Sequence, residues 1–319
     1  MTAVETARTT ELDCGITAID TDYVRPLLDA SHLIIESGRA AFVDTGTNFS
    51  VPLLLDGLQQ QGMDVADVDY VFLTHVHLDH AGGAGELMQN LPNAKAVLHP
   101  RGAPHMIDPA KLIKGASAVY GEDAFFEMYG DIRAIAADRV IVADDNQSFS
   151  LAGRALRVFY TEGHARHHYC LDDPASEGVF TGDSFGISYR ELDTAIGAFI
   201  YPTTTPVHFD PPEAHKALDR IMACEPQQLY LTHYSRVTDL ARLADDMHRR
   251  IDDFVAIVHR HASDADRAAA VRNAMNDYFL QQLREHGCTI SDDSLRELLK
   301  MDVELNSMGL EFWLDHAAN

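Results

Sequence analysis

The chain has 319 residues, long for one small core and short for two full-size domains, so one large domain with a smaller appendage is expected. Apolar residues make up 46% of it, enough for a substantial core, while Asp plus Glu outnumber Lys plus Arg by 49 to 25 for a formal charge of -24. A field of that sign repels phosphate backbones and anionic headgroups, which argues against nucleic acid or a membrane surface as partner and leaves a small molecule as the expected one.

From Leu12 to about Thr238 the sequence reads as strands alternating with helices. His32–Glu36 and Ala40–Val43 flank Ser37-Gly38-Arg39, a hairpin signal. Val51–Gln61 carries leucines at helical spacing and stops at Gly62. Val68–Leu73 is a short apolar strand, and further strands are predicted at Ala94–Leu98, Arg139–Val142, Ala155–Tyr160, Gly178–Thr181 and Gln228–Thr232. Pro202–Pro212, rich in proline and threonine, is expected to be an irregular loop. After Thr238 the character changes. Leu240, Leu243, Met247, Ile251, Phe254 and Val258 recur at three- and four-residue steps, predicting an amphipathic helix. A second helix is predicted over Ala265–His286, with shorter ones around Asp292–Met301 and Val303–His316. The expected division is therefore a domain over 1–238 and an all-helical extension over 239–319.

Cys14, Cys170, Cys224 and Cys288 stand far apart, which fits buried free thiols in a reducing compartment better than a disulfide framework or a thiolate metal cage. The first ten residues, MTAVETARTT, lack the apolar core of a signal peptide, and no stretch approaches the ~20 apolar residues of a membrane span. A cytoplasmic location is the expectation.

The chemistry concentrates just past the strand at Val68–Leu73, in Thr74-His75-Val76-His77-Leu78-Asp79-His80. Histidine and carboxylate hold zinc, iron or manganese at about 2.0–2.2 Å, so His75, His77, Asp79 and His80 in one loop invite a metal. The small residues that follow, Ala81-Gly82-Gly83-Ala84-Gly85, let the backbone turn tightly. A cluster of surface histidines is the bland alternative. Three further pieces weigh against it: Glu162-Gly163-His164, Thr181-Gly182-Asp183 and Leu231-Thr232-His233 each place a candidate ligand just after a predicted strand, where open α/β sheets gather their sites.

With those motifs the sequence resembles the metallo-β-lactamase superfamily over roughly residues 12–238, and Val43-Asp44-Thr45-Gly46 resembles its N-terminal signature. The resemblance implies an α/β fold, a four-layer αβ/βα sandwich of two similar halves. It implies two divalent metal ions, zinc first, with iron or manganese as alternatives. One ion would be held by His75, His77 and His164 and the other by Asp79, His80 and His233, with Asp183 bridging and Asp44 orienting the loop. His168, four residues after His164, stands where similar sequences line the site. Departures narrow the subfamily. True β-lactamases lack the bridging aspartate, flavodiiron reductases carry glutamate at the position of His77 plus a flavodoxin domain, and ribonuclease relatives add a basic exosite or nuclease insertion. The helices after the core, and Leu305-Asn306-Ser307-Met308-Gly309-Leu310, are similar to a subgroup that includes the quinolone-signal response thioesterases.

The expected activity is hydrolysis of a small-molecule ester, lactone or thioester by a metal-bridging hydroxide, with Asp79 orienting the nucleophile. Two other readings stay open: a metal-bearing regulatory or binding protein acting through its helical extension, and redox or persulfide chemistry at iron. Homodimerisation is also open. Of the remaining candidates, His99, Arg101 and His105 read as surface polarity or a substrate loop, and His167 as structural or exposed. Tyr201, His208 and Phe209 read as a connector or a pocket wall, and Cys170 as a small buried hydrophobe.

Overall fold

In a computed structural model the structure describes residues 6–204 and 206–316, without the side chains of 118–120 and 122. Residues 1–5 of the N-terminal segment read above lie outside the described residues. The strands are β1 (Thr9–Glu11), β2 (Ile16–Asp20), β3 (Ala30–Glu36), β4 (Arg39–Val43), β5 (Val68–Phe72), β6 (Lys95–Leu98), β7 (Val140–Val142), β8 (Ser148–Leu151), β9 (Arg154–Tyr160), β10 (Tyr169–Asp173), β11 (Gly178–Gly182), β12 (Gln228–Leu231) and β13 (Ser235–Val237). The helices are α1 (Val51–Gln60), α2 (Leu78–Ala81), α3 (Ala84–Asn90), α4 (Ala103–Ile107), α5 (Ala110–Tyr120), α6 (Glu122–Tyr129), α7 (Pro211–Met222), α8 (Leu240–Arg260), α9 (Arg267–Glu285), α10 (Asp292–Leu298) and α11 (Lys300–His316). None of the helices is long and apolar enough to cross a membrane among the described residues.

The chain divides into two compact units: residues 1–160, 167–182 and 227–236 in one, and residues 161–166, 183–226 and 237–319 in the other. The first unit holds two sheets. One runs β1 to β7 in sequence order, and the other runs β13-β12-β11-β10-β9-β8. Pairing switches from antiparallel to parallel at β4–β5 in the first sheet and at β11–β12 in the second, so β4, β5, β11 and β12 deliver their following loops to the C-terminal strand ends.

Local chemistry accounts for these elements. The β3–β4 hairpin pairs Ile35 with Ala40 and Glu36 with Arg39, across a two-residue turn in which Ser37 and Gly38 have φ of +47° and +78°. That geometry matches the right-handed strand twist. A core of Ile34, Val43, Phe72, Val97, Leu156, Val158, Leu171 and Phe180 draws side chains from both sheets, and a second core packs Leu54, Leu58, Leu87 and Met106 of the helices against Leu33, Phe42 and Val71. Strand β10 has no alternating pattern to announce it: all five residues are buried, including Asp172 and Asp173. Their charges are met across the ladder by arginines, Arg154 Nε to Asp173 Oδ1 at 2.9 Å and Arg157 Nη2 to Asp172 Oδ2 at 2.8 Å.

In the second unit the proline-rich loop ends where Asp210 caps α7, accepting from Glu213 N at 3.2 Å. Pro211 and Pro212 occupy the first helical positions, where a missing N–H costs nothing. Along α8 the six residues of the predicted stripe are all buried. Arg250 joins them, its guanidinium 3.8 Å over the Phe199 ring and donating to Ile200 O, with burial lowering its pKa to about 10. The C-terminal residues form α10 and a longer α11, which begins at Lys300 rather than Val303.

Candidate metal centre

The site begins where β5 leaves the sheet. Leu73 N still bonds Val97 O at 3.1 Å, and then Thr74–His77 run out as loop, with His77 extended as the residue before α2. The α2 segment lies hard against the loop after β4: Thr45 N donates to His80 O at 2.7 Å and Gly83 N to Gly46 O at 2.9 Å. A Cβ on Gly83 would stand 2.5 Å from Thr47 O. The glycine there serves close approach of two backbones, since its φ is an ordinary -79°.

Asp44 knots the first unit's loops together. Its backbone takes the left-handed φ of +58°, and its buried carboxylate accepts from Thr74 N (2.8 Å), Thr74 Oγ1 (2.8 Å), Thr232 Oγ1 (2.9 Å) and His80 Nδ1 (2.8 Å). The loops after β4, β5 and β12 are thus held by one side chain. A carboxylate only accepts, so His80 carries its proton on Nδ1 and turns the lone pair of Nε2 toward Asp79 Oδ2, 3.7 Å away. His233 repeats the arrangement. Its Nδ1 donates to Leu28 O at 3.0 Å, and its Nε2 faces the same Asp79 oxygen at 3.4 Å. Donor atoms of Asp79, His80 and His233 all lie within 4.8 Å of one another.

The same logic governs His75. The Thr74 hydroxyl donates to Asp44, so it accepts from His75 Nδ1 at 3.2 Å, which leaves the lone pair on Nε2, 2.9 Å from His77 Nδ1. His168 is fully buried and stacks on His75 with ring centroids 4.8 Å apart. His167, read above as structural or exposed, is buried with its ring edge-on to His77 at 5.6 Å. His77 and Asp79 are the partly exposed members, so solvent reaches the cluster on their side.

In the second unit His164 and Asp183 form a buried pair. His164 Nδ1 donates to Thr203 O at 3.3 Å, and Nε2 faces Asp183 Oδ2 at 3.4 Å. Gly163 makes room with φ of +126°, and a Cβ there would meet the backbone of Ala214 at 2.5 Å. A narrow pocket beside the pair is walled by Thr203, Phe209, Ala214, Met247 and Ile251. Asn306 of α11 steadies that wall, with Thr204 N donating to its Oδ1 at 2.6 Å and Thr204 Oγ1 to its carbonyl at 2.9 Å.

In three of these histidines, then, the Nδ1 proton is engaged by an oxygen and the Nε2 lone pair points at a carboxylate. Imidazole nitrogens and carboxylate oxygens thus converge at 3.4–3.7 Å, with each ring aimed by an oxygen on its other nitrogen, the arrangement of metal-ligating histidines. Nitrogen and carboxylate donors of this kind suit zinc, iron or manganese.

Sequence reasoning missed Asp29, which no motif marks. It is fully buried, its Oδ2 accepting from Thr21 Oγ1 at 2.9 Å. Burial pushes its pKa up to about 7, Asp79 pushes the same way, and His233 and His80 oppose both. His99 is also buried, its ring 4.2 Å from Tyr160 and its pKa lowered to about 4, chiefly by burial. Surface polarity is therefore the wrong reading of that residue, and Cys170 is buried as expected.

A sequence profile of the metallo-beta-lactamase superfamily matches residues 25–233. Over 170 residues the chain is 31% identical to a metallo-beta-lactamase fold-containing protein of Sulfurisphaera tokodaii, covering 52% of this chain and 60% of that protein. Over 117 residues it is 30% identical to an atrochrysone carboxyl ACP thioesterase of Aspergillus fumigatus, covering 37% of this chain and 27% of that protein. The match thus spans less than two thirds of either relative. The fold superposes on the crystal structure of a metallo-beta-lactamase family protein from Thermus thermophilus with a TM-score of 0.67 at 17% identity, over 95% of this chain and 94% of that one. At that identity the likeness speaks for the fold.

Proposed function

Because the chain belongs to the metallo-beta-lactamase superfamily, we propose that it is a dinuclear metal-dependent hydrolase of a small-molecule ester, lactone or thioester. His75, His77 and His164 would hold one ion and Asp79, His80 and His233 the other, with Asp183 proposed as the ligand common to both. The observation that carries this reading is the pair of imidazoles, His80 and His233, whose Nδ1 atoms are engaged by oxygens and whose Nε2 atoms both face Asp79 Oδ2.

Two divalent ions held there, zinc in the first place, supply Lewis acidity that lowers the pKa of water and polarises a carbonyl oxygen. The chain's own residues do the rest. Asp44 fixes the tautomer and direction of His80, and through Thr74 those of His75. Asp79, partly exposed beside its ligand partners, orients the attacking water and can carry a proton to the leaving alcohol or thiol. Thr203, Phe209, Met247 and Ile251 give an acyl chain an apolar wall. The fungal thioesterase among the relatives supports a thioester as the bond class.

The test is turnover of a panel of acyl thioesters, lactones and esters by metal-loaded protein, beside chelated protein and His80→Ala. Hydrolysis that needs both the metal and His80 is the expected result. Metal-loaded protein that turns over none of the panel, or turnover unchanged in His80→Ala, would overturn the reading.

A further inference from the structure

In the second unit, the segment from Asp183 to Thr204 begins at one proposed ligand and ends beside the group that aims another. Gly186 N donates back to Asp183 O at 3.0 Å. At the far end the Thr203 carbonyl accepts from His164 Nδ1 at 3.3 Å. Between those ends the chain doubles back on itself. Ile187 and Tyr201 exchange both backbone hydrogen bonds, at 2.9 and 3.1 Å, and Ser188 Oγ donates to Phe199 O at 2.8 Å. A shift of one arm therefore carries the other with it, and so moves Asp183 and the acceptor of His164 together.

The arm over residues 197–204 is held by side chains of the C-terminal helices. Three donors take its carbonyls: His286 Nε2 to Gly197 O at 2.9 Å, Arg242 Nη2 to Ala198 O at 3.1 Å, and Arg250 Nη1 to Ile200 O. Arg250 differs from the other two. It is 3% exposed, its Nε has no hydrogen-bond partner among the described residues, and the neighbouring Asp246 carboxylate is engaged by Arg242 and Arg249. With a pKa of about 10 it stays charged at neutral pH. A buried cation without a carboxylate of its own is a poor source of stability, and an apolar side chain of similar volume would pack there at lower cost. What the guanidinium does supply is a donor held in one direction, 3.8 Å over the Phe199 ring. Its acceptor stands one residue before the Ile187–Tyr201 bridge and three before Thr203.

We propose that Arg250 is a positioning residue for the metal centre: by fixing the Ile200 carbonyl it sets the spacing of Asp183 and the direction of His164, without a hydrogen bond or ion pair to either. The inference rests on the ligand roles given to those two residues above. When Arg250 is removed, the Ile200 carbonyl loses its donor inside the fold, and the arm shifts to satisfy it. Thr203 moves with the arm, and His164 loses the acceptor that fixes its tautomer.

The test reads His164 directly. Imidazole nitrogen NMR of the metal-free full chain, assigned by the signals lost in His164→Gln, should show the Nδ1–H tautomer in wild type and a mixture of both tautomers in Arg250→Met. Competition against a chelator should show Arg250→Met binding metal about tenfold more weakly than wild type, and Arg250→Lys, which keeps a donor for Ile200 O, within about threefold. General destabilisation would move neither reading in folded protein. Should Arg250→Met not fold, Arg250→Gln, whose amide falls short of Ile200 O, takes its place with the same expected results. An unchanged His164 tautomer, or an unchanged metal affinity, in the folded variant would overturn the proposal. A wild-type chain that binds no metal would instead sink the metal centre, and the His164 spectrum alone would then decide the role of Arg250.

Discussion

The carboxylate of Asp44 accepts the Nδ1 proton of His80 at 2.8 Å and, through the Thr74 hydroxyl, governs His75 as well. Neither contact touches the position where an ion would sit, yet both set which nitrogen faces it. Replacing Asp44 by Asn would offer His80 an amide that can donate as well as accept. The expected cost is about 10–100-fold in metal affinity, with all seven proposed ligands intact. Competition against a chelator of known affinity measures it, and an unchanged affinity in folded Asp44→Asn would show that the knot serves folding alone.

Gly309 on α11 is packed so tightly on Thr204 that a Cβ would stand 1.4 Å from its carbonyl oxygen. The neighbouring Thr203 carbonyl is the acceptor for His164 Nδ1. Gly309→Ala should therefore push the loop at 202–204 and turn His164. The expected outcome is metal affinity and hydrolytic rate reduced by about tenfold or more, through a residue that touches no ligand. Equal affinity and rate, with the variant folded, would show that the helix does not position the site.

His32 is fully buried beside Phe180 and Tyr230, and burial lowers its pKa to about 3. The unfolded chain protonates this residue near 6.5, so acid favours unfolding. The stability it contributes is fully present above pH 6.5 and is lost as pH falls from there toward 3. Between pH 7 and 5 the loss is on the order of 2 kcal/mol from this residue. Urea denaturation of the metal-free chain at both values should show a smaller pH difference in His32→Phe than in wild type. An identical difference would mean that folding does not lower the pKa of His32.

Much of the fold was legible because its signals are local. The turn at Ser37-Gly38, the leucine spacing of α1 and the stripe of α8 each specify their element from neighbours in sequence. The metal loop was legible for the same reason, four donors in six residues. Strand β10 was not, because Asp172 and Asp173 are buried by arginines more than a dozen residues away. The raised pKa of Asp29 was not, because it comes from burial and from the charges of His233, His80 and Asp79. The grouping of segments 161–166 and 183–226 with the C-terminal helices in one compact unit is likewise a long-range property that no periodicity encodes. Motifs marked the donors and Asp44; the carbonyls of Leu28 and Thr203 that aim His233 and His164 were visible only in three dimensions.

The central claim is that seven side chains hold two ions with Asp183 between them, and metal stoichiometry at limiting zinc tests it most directly. The account predicts two ions per chain in wild type, close to one after His233→Ala, and close to zero after Asp183→Ala, since the bridging charge would let both cations sit side by side. Rates alone would not separate the two variants, because hydrolysis should collapse in both. An Asp183→Ala chain that retains two ions at unchanged affinity would contradict the account at its central residue.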